Sequence, residues 1–177
     1  MHEYRLYTYP AIGDRGACAV DKFLNLYDNL MQYLTLRLNR LGDIGRALLK
    51  NRTLIEVNLV SNDLVEPTAT LLSQVVIENQ MLHSIDLSCN RLGQDGGKLL
   101  QEDMKDNPTI ILMDLRLTEC GQESENCINQ ILHRNQEADR ESVNAQYKKS
   151  NMSLRQQTDL LCHQRQLLHN KANNTIE

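Results

Sequence analysis

LHSIDLSCNRLG, residues 82–93, is the stretch of this chain that determines its fold. Its apolar residues Leu82, Ile85 and Leu87 stand eight, five and three positions before Asn90. Between Ser84 and Ser88 polar and apolar residues alternate strictly, which indicates a short strand with one buried face. Asn90 follows where the chain must turn, and we expect its amide to bond to the backbone of a neighbouring coil.

The same pattern recurs at a constant step. Four asparagines lie 28 residues apart, at Asn51, Asn79, Asn107 and Asn135, and Asn62, Asn90 and Thr118 follow the first three by eleven residues. A fixed period in this range is the signature of a repeat protein, and the pattern N-x-x-L-x-x-L-x-L-x-x-N is that of a long leucine-rich repeat. We therefore predict an α/β fold, a short ribonuclease-inhibitor-like arc with parallel strands on its concave face and helices on its convex face.

Each unit also contains a helical half. Leu100 and Met104 are four apart after the strand and turn, so they would face back toward the strand. An upstream strand and turn end at Asn39, and only Arg46 to Leu49 remain there for a helix of about two turns. Cys89, at the end of a strand, is expected to be buried.

The repeats suggest three regions. Residues 1–10 form an atypical N-terminal segment, residues 11–135 hold about four units of which the first is partial, and residues 136–177 form a helical or partly disordered polar tail. Leu154, Leu161 and Leu168 are seven apart in that tail, but they make barely two heptads. Because the array opens on half a repeat, we expect a fragment of a longer protein, the alternative being an unusual cap.

Composition excludes several classes of function. The formal charge of −4 and the pI near 5.7 argue against a nucleic-acid partner. No run of eighteen apolar residues suggests a membrane span, and the N-terminus does not resemble a secretory signal. Five cysteines without metal-like spacing suit a reducing compartment, and we predict no metal and no cofactor.

The outward-facing strand residues are the candidate binding site. The alternation places Thr35, Asn58, Asp86 and Asp114 in one column across the concave face. Flanking arginines could contact acidic partners in a bidentate manner, or Arg116 could simply neutralise a neighbouring aspartate. The predicted partner-binding residues are Arg37, Asn58, Asp86, Asp114 and Arg116, and the predicted structural turn residues are Asn39, Asn62 and Asn90.

No arrangement in the sequence favours catalysis. Asp86 and Asp114 are paired carboxylates, but neither comes with a nucleophile, a partner base or a pocket-forming insertion. Cys120 and Cys127 are seven apart without a second ligand pair, so zinc is not expected. We assign no catalytic residue and predict a protein that is not an enzyme.

Three longer strings carry a more specific resemblance. EPTATLLSQV at residues 66–75, SIDLSCN with GQDGGKLL within residues 84–100, and DLRLTECGQESE at residues 114–125 resemble the family of leucine-rich-repeat subunits, termed subunit 5, of the nexin–dynein regulatory complex. EPTATLLSQ and QESE lie outside the repeat consensus, so a generic repeat would not share them. The resemblance covers roughly residues 10–140.

The resemblance implies a structural, non-enzymatic component of motile cilia and sperm flagella. Its location would be the cytoplasm and cytoskeleton, in the axoneme, with other regulatory-complex subunits and axonemal proteins as partners and no small-molecule substrate. The alternative is a soluble leucine-rich-repeat regulator, such as a nuclease inhibitor or a Ran-type GTPase-activating protein. The tail lacks the acidic excess expected of a Ran-type activator, and the chain lacks the many cysteines expected of a mammalian nuclease inhibitor.

Overall fold

The computed structural model describes Val20, Lys22, residues 32–38 and residues 44–173, with side chains to residue 166. Four three-residue strands alternate with helices in this part of the chain. The elements in chain order are β1 (Tyr33–Thr35), α1 (Ile44–Lys50), β2 (Glu56–Asn58), α2 (Glu66–Glu78), β3 (Ser84–Asp86), α3 (Gly93–Met104), β4 (Leu112–Asp114) and α4 (Gln122–Asn173).

The strands form one parallel sheet in the order β1-β2-β3-β4. The middle residues pair in register: Leu34 with Val57, Val57 with Ile85, and Ile85 with Met113. Parallel neighbours need a crossover connection, which α1, α2 and α3 provide. The predicted leucine-rich-repeat solenoid is therefore confirmed.

The apolar lattice positions build the core. Leu82, Ile85 and Leu87 are each at most 2% exposed, and the corresponding residues of the other units join them in a single cluster. Cys120, which stands where other units have leucine, is also buried. Helix α1 has seven residues, about two turns, in agreement with the shortened first unit.

The 28-residue lattice asparagines form a buried hydrogen-bonded series. The Asn79 side-chain nitrogen donates to the Asn51 carbonyl at 3.1 Å, and that of Asn135 donates to the Asn107 carbonyl at 2.8 Å. The side-chain oxygens of Asn51, Asn79 and Asn107 each accept from the backbone N–H groups two and three residues later. Asn51, Asn79 and Asn107 thus each start their own strand segment, and Asn79, Asn107 and Asn135 also join neighbouring coils.

The asparagines at the turns form a second series. The Asn62 side chain donates to the Leu36 carbonyl at 2.7 Å, one coil earlier. Asn90 donates to the Leu59 carbonyl at 3.0 Å and accepts from the Asn62 backbone N–H at 2.9 Å. At Thr118, where the asparagine is replaced, the hydroxyl donates to the Leu115 carbonyl of its own coil. Asn39, the third predicted turn asparagine, lies outside the described residues.

The prediction that Cys89 is buried is wrong. Cys89 is exposed and has a backbone φ of 57°. Ser61 and Leu117, the residues 28 positions away on either side, adopt the same left-handed conformation. The turn itself therefore directs this side chain away from the core.

Helix α4 belongs to two compact units, residues 1–136 and residues 137–177. Within the first unit, Ile128 and Leu132 of α4 are buried in the core. Within the second, the side chains described are almost all exposed. No helix in the described residues is both long and apolar enough to cross a membrane.

Candidate protein-binding face

The strand pairing brings the predicted column together. Thr35, Asn58, Asp86 and Asp114 occupy equivalent positions on successive strands, each partly exposed. We call these four residues the concave column. Because each middle strand residue points into the core, the column residues point to the opposite face.

Three members of the column have a structural task. The side-chain oxygens of Asn58, Asp86 and Asp114 accept from the backbone N–H two residues later, at 3.2, 3.1 and 3.0 Å. This local bond is characteristic of Asn and Asp and favours a turn at the end of a strand. Sequence reasoning missed this role, although the recurrence of Asn or Asp directly before the second core leucine was the available signal.

Neighbouring column residues also bind to one another. The Asn58 amide donates to the Asp86 carboxylate at 3.1 Å, and the Ser88 hydroxyl donates to the same carboxylate at 2.7 Å. Ser88 was not predicted as a site residue. The Asp86 carboxylate is therefore held by side chains of two neighbouring coils.

The last strand of the column ends in an ion pair. The Arg116 Nε donates to both carboxylate oxygens of Asp114 at 3.0 and 2.9 Å, and an Nη donates at 2.5 Å. The Arg116 side chain is 82% exposed and that of Asp114 is 27% exposed. The structure thus places Arg116 in the neutralising arrangement considered from the sequence, while its outer side still faces solvent.

The ion pair affects the protonation of Asp114. Hydrogen bonding from the Arg116 side chain lowers the pKa of this carboxyl below its ordinary value of 3.8, against the opposing effect of burial. The stability that this ion pair contributes is fully present at pH values above the ordinary pKa of the carboxyl. It is lost as the pH falls through the lower pKa of Asp114 in the folded state. The effect on unfolding should be small because the pair is exposed.

We expect Arg116→Gln to raise the pKa of Asp114 toward 3.8, because the largest lowering contribution would be removed. A carboxyl-carbon NMR titration of the full chain measures this value. Arg91→Gln is the matched control, since Arg91 is exposed and makes no side-chain bond to Asp114 that the structure shows. An unchanged Asp114 pKa in Arg116→Gln would contradict the assigned pairing.

The remaining predicted residue lies at the other end of the sheet. Arg37 follows β1 by two residues and is exposed, and β2 and β3 stand between its strand and that of Arg116. The two arginines therefore do not form one cluster. Binding of a partner by either of them stays a prediction.

A groove of about 620 Å³ adjoins the column at the β4 end. The β4 side of this groove includes Leu112, Asp114 and Arg116, and the α4 side includes Glu125 and His133. The sequence did not indicate this groove, because it requires α4 to lie beside the last strand. Within the described residues, no three His, Cys, Asp or Glu side chains are grouped so that they could hold a metal ion.

Cys120 is not a candidate nucleophile. Burial is the main cause that raises the pKa of the Cys120 thiol above 9.0, partly offset by a hydrogen bond with Thr118. The protonated thiol is the less reactive form. Cys120 therefore belongs to the core.

Comparisons with known proteins agree with this architecture. Residues 78–100 match the family described as "Leucine Rich repeat". Among solved structures, the chain is similar to the actin-binding site 2 of leiomodin-1, with a TM-score of 0.66 and 14% identity over 82% of this chain and 88% of that chain. It is also similar to the tropomodulin C-terminal domain of Caenorhabditis elegans, with a TM-score of 0.49 and 11% identity over 73% of this chain and 98% of that chain.

No match was found among curated protein sequences. At 14% identity the leiomodin-1 likeness concerns the fold alone. Repeat proteins of this kind use extended concave surfaces to bind other proteins. With its repeat match over residues 78–100, its parallel sheet and its 28-residue step, the chain has the fold of a leucine-rich-repeat solenoid.

Proposed function

We propose that this chain is a non-enzymatic scaffold of the axonemal nexin–dynein regulatory complex, contributing to the control of ciliary and flagellar motility, including sperm motility. The support is the resemblance of the strings at residues 66–75, 84–100 and 114–125 to the leucine-rich-repeat subunits of that complex. Two of these strings extend from a strand into the next helix, and the first lies within α2. They therefore include helix residues that the repeat consensus does not specify.

The concave column and its flanking arginines are the proposed docking residues. Asp86 presents an oriented carboxylate that Asn58 and Ser88 hold in place. Arg116 is also fixed in direction, because its guanidinium binds both oxygens of Asp114. Side chains held before binding lose less conformational entropy when a partner arrives, which favours recognition.

Fractionation of cilia tests the proposed location. We expect the full-length protein to remain with axonemes after detergent and high-salt extraction, and its loss to alter beat waveform while cilia still assemble. Quantitative immunoblotting of the fractions and high-speed imaging measure these results. Recovery of the protein mainly in the detergent-soluble cytosol would reject the axonemal proposal and favour the soluble regulator.

Actin binding is a second candidate function, and it can be tested with the purified chain. The solved structure with a TM-score of 0.66 to this chain is an actin-binding site of leiomodin-1, although the likeness itself concerns only the fold. Co-sedimentation of the purified chain with actin filaments distinguishes the candidates. Saturable binding that Asp86→Lys abolishes would favour actin, whereas recovery in the supernatant favours the regulatory complex.

A further inference from the structure

One backbone hydrogen bond that recurs between successive coils is missing at the last coil in the described residues. In the first three coils, the residue after the strand donates its backbone N–H to the next strand, at 2.8–2.9 Å. These bonds join Leu36 to Asn58, Leu59 to Asp86, and Leu87 to Asp114. Leu115 is the corresponding residue of the last coil, and the structure shows no acceptor for its N–H among the described residues.

A second recurring backbone hydrogen bond, two residues further along, is also missing there. The backbone N–H groups of Leu38, Ser61 and Cys89 donate to the next coil at 3.1, 3.1 and 2.9 Å. Leu117 occupies the corresponding position, adopts the same left-handed backbone and again has no such acceptor in the part of the chain described. Its side chain is 76% exposed. Two donors therefore lie along the outer edge of β4 at the spacing of a strand ladder.

One group of this edge is already covered. In earlier coils the carbonyl before the strand accepts two backbone N–H groups from the next coil, as at Ile55 and His83. The corresponding carbonyl, at Ile111, instead accepts the side-chain amide of Gln136 at 2.7 Å. Gln136 thus substitutes for one residue of a further strand, whereas the backbone N–H groups of Leu115, a residue only 5% exposed, and of Leu117 have no acceptor among the described residues.

The groove beside the edge determines the chemistry of an incoming strand. Glu56, Asp86, Asp114 and Glu125 contribute four carboxylates to its lining, whereas Arg116 contributes the single guanidinium and is already paired with Asp114. A strand with basic side chains on one face would be attracted to these acids. Leu112, on the same side, is 54% exposed and can contact an apolar side chain of that strand.

We propose that the outer edge of β4 binds a basic, extended segment of a partner protein by adding it to the sheet as a fifth strand. Carbonyl oxygens of the segment accept from the backbone N–H groups of Leu115 and Leu117, and its lysines or arginines face the groove carboxylates. Main-chain bonds of this type supply affinity, and the alternate side chains supply specificity. This proposal does not depend on the larger assembly to which the chain belongs.

A defined peptide tests the proposal. The probe is a fluorescein-labelled seven-residue peptide in which valine and lysine alternate between terminal threonines. We expect it to bind the full chain and to slow hydrogen exchange at the Leu115 and Leu117 amides, measured by NMR. Failure to bind at millimolar concentration, or binding without protection of these two amides, would overturn the proposal.

Two N-methylated forms of the peptide separate strand addition from simple charge attraction. One form carries methyl groups on the valine amides and the other on the lysine amides, so only one of them blocks the hydrogen-bonding side that faces β4. We expect about a tenfold or greater loss of affinity for one form and little change for the other. Equal affinities of the two forms would show that no strand is added.

Charge variants test the second half of the proposal. Glu125→Lys should weaken binding of the lysine peptide several-fold, because it reverses one groove charge. Glu78→Lys, on the exposed end of α2, makes the same charge change outside the groove and should have little effect. A matching loss in both variants would reject the groove as the source of specificity. None of these results depends on whether the chain fractionates with axonemes.

Discussion

Replacing Asn90 with alanine is expected to lower the free energy of unfolding by about 3–5 kcal/mol, because it leaves several buried backbone groups without partners. Asn90 is 2% exposed. Its side-chain nitrogen donates to three carbonyls, of Leu59, Leu87 and Ser88, at 3.0, 2.7 and 3.3 Å. Its side-chain oxygen accepts from the backbone N–H groups of Asn62 and Leu64 at 2.9 and 3.0 Å.

This loss is large compared with the roughly 5–15 kcal/mol that stabilises a typical domain. Urea unfolding of the full chain, monitored by circular dichroism, measures this loss of stability. Asn129→Ala removes the same amide from an exposed position of α4 and should change stability by no more than about 0.5 kcal/mol. Equal unfolding midpoints for the two variants would disprove the structural role of Asn90.

Gly97→Ala is expected to destabilise the chain by about 2–3 kcal/mol, although alanine is the better helix former. A Cβ atom at Gly97 would lie 2.3 Å from the Cys120 carbonyl oxygen and 2.9 Å from its Cα. Both atoms belong to the backbone, so α3 and the turn before α4 would have to separate. Thermal unfolding of the variant measures the loss.

A neighbouring glycine is the matched comparison. At Gly96 the added Cβ would meet the Ala69 side chain at 2.8 Å, and Ala69→Gly removes that atom. We expect Ala69→Gly to recover part of the stability lost in Gly96→Ala, whereas Cys120→Gly should recover little in Gly97→Ala. Full recovery in the second pair would mean that the cysteine side chain, rather than the backbone, determines the close approach.

Much of the fold could be predicted from spacing. Leu82, Ile85 and Leu87 recur in equivalent form in each coil, and every such position is buried in the described residues. Repeats bury their apolar faces only against neighbours, so the period implies stacked parallel strands. The prediction for Cys89 was wrong because periodicity describes which residues alternate in a strand and gives no information on a left-handed turn.

The candidate site was only partly predictable. The column of Thr35, Asn58, Asp86 and Asp114 followed from strand register. The hydrogen bonds of the column could not be predicted. An aspartate with a free carboxylate and an aspartate that accepts a backbone N–H at the end of a strand look the same in the sequence. The pairing of Arg116 with Asp114 likewise depends on a side-chain direction that spacing leaves open.

The sequence alone determined the repeat, the buried asparagine positions and the residues of the concave column, because each depends on a local period that every coil shares. The tertiary structure decided what happens where the period stops. The first turn of α4 follows the last strand, Gln136 covers the Ile111 carbonyl, and the N–H groups of Leu115 and Leu117 are left without an acceptor in the described residues. A period describes the contact between two successive coils. It therefore gives no information on which backbone groups lack a partner after the last coil in the described residues.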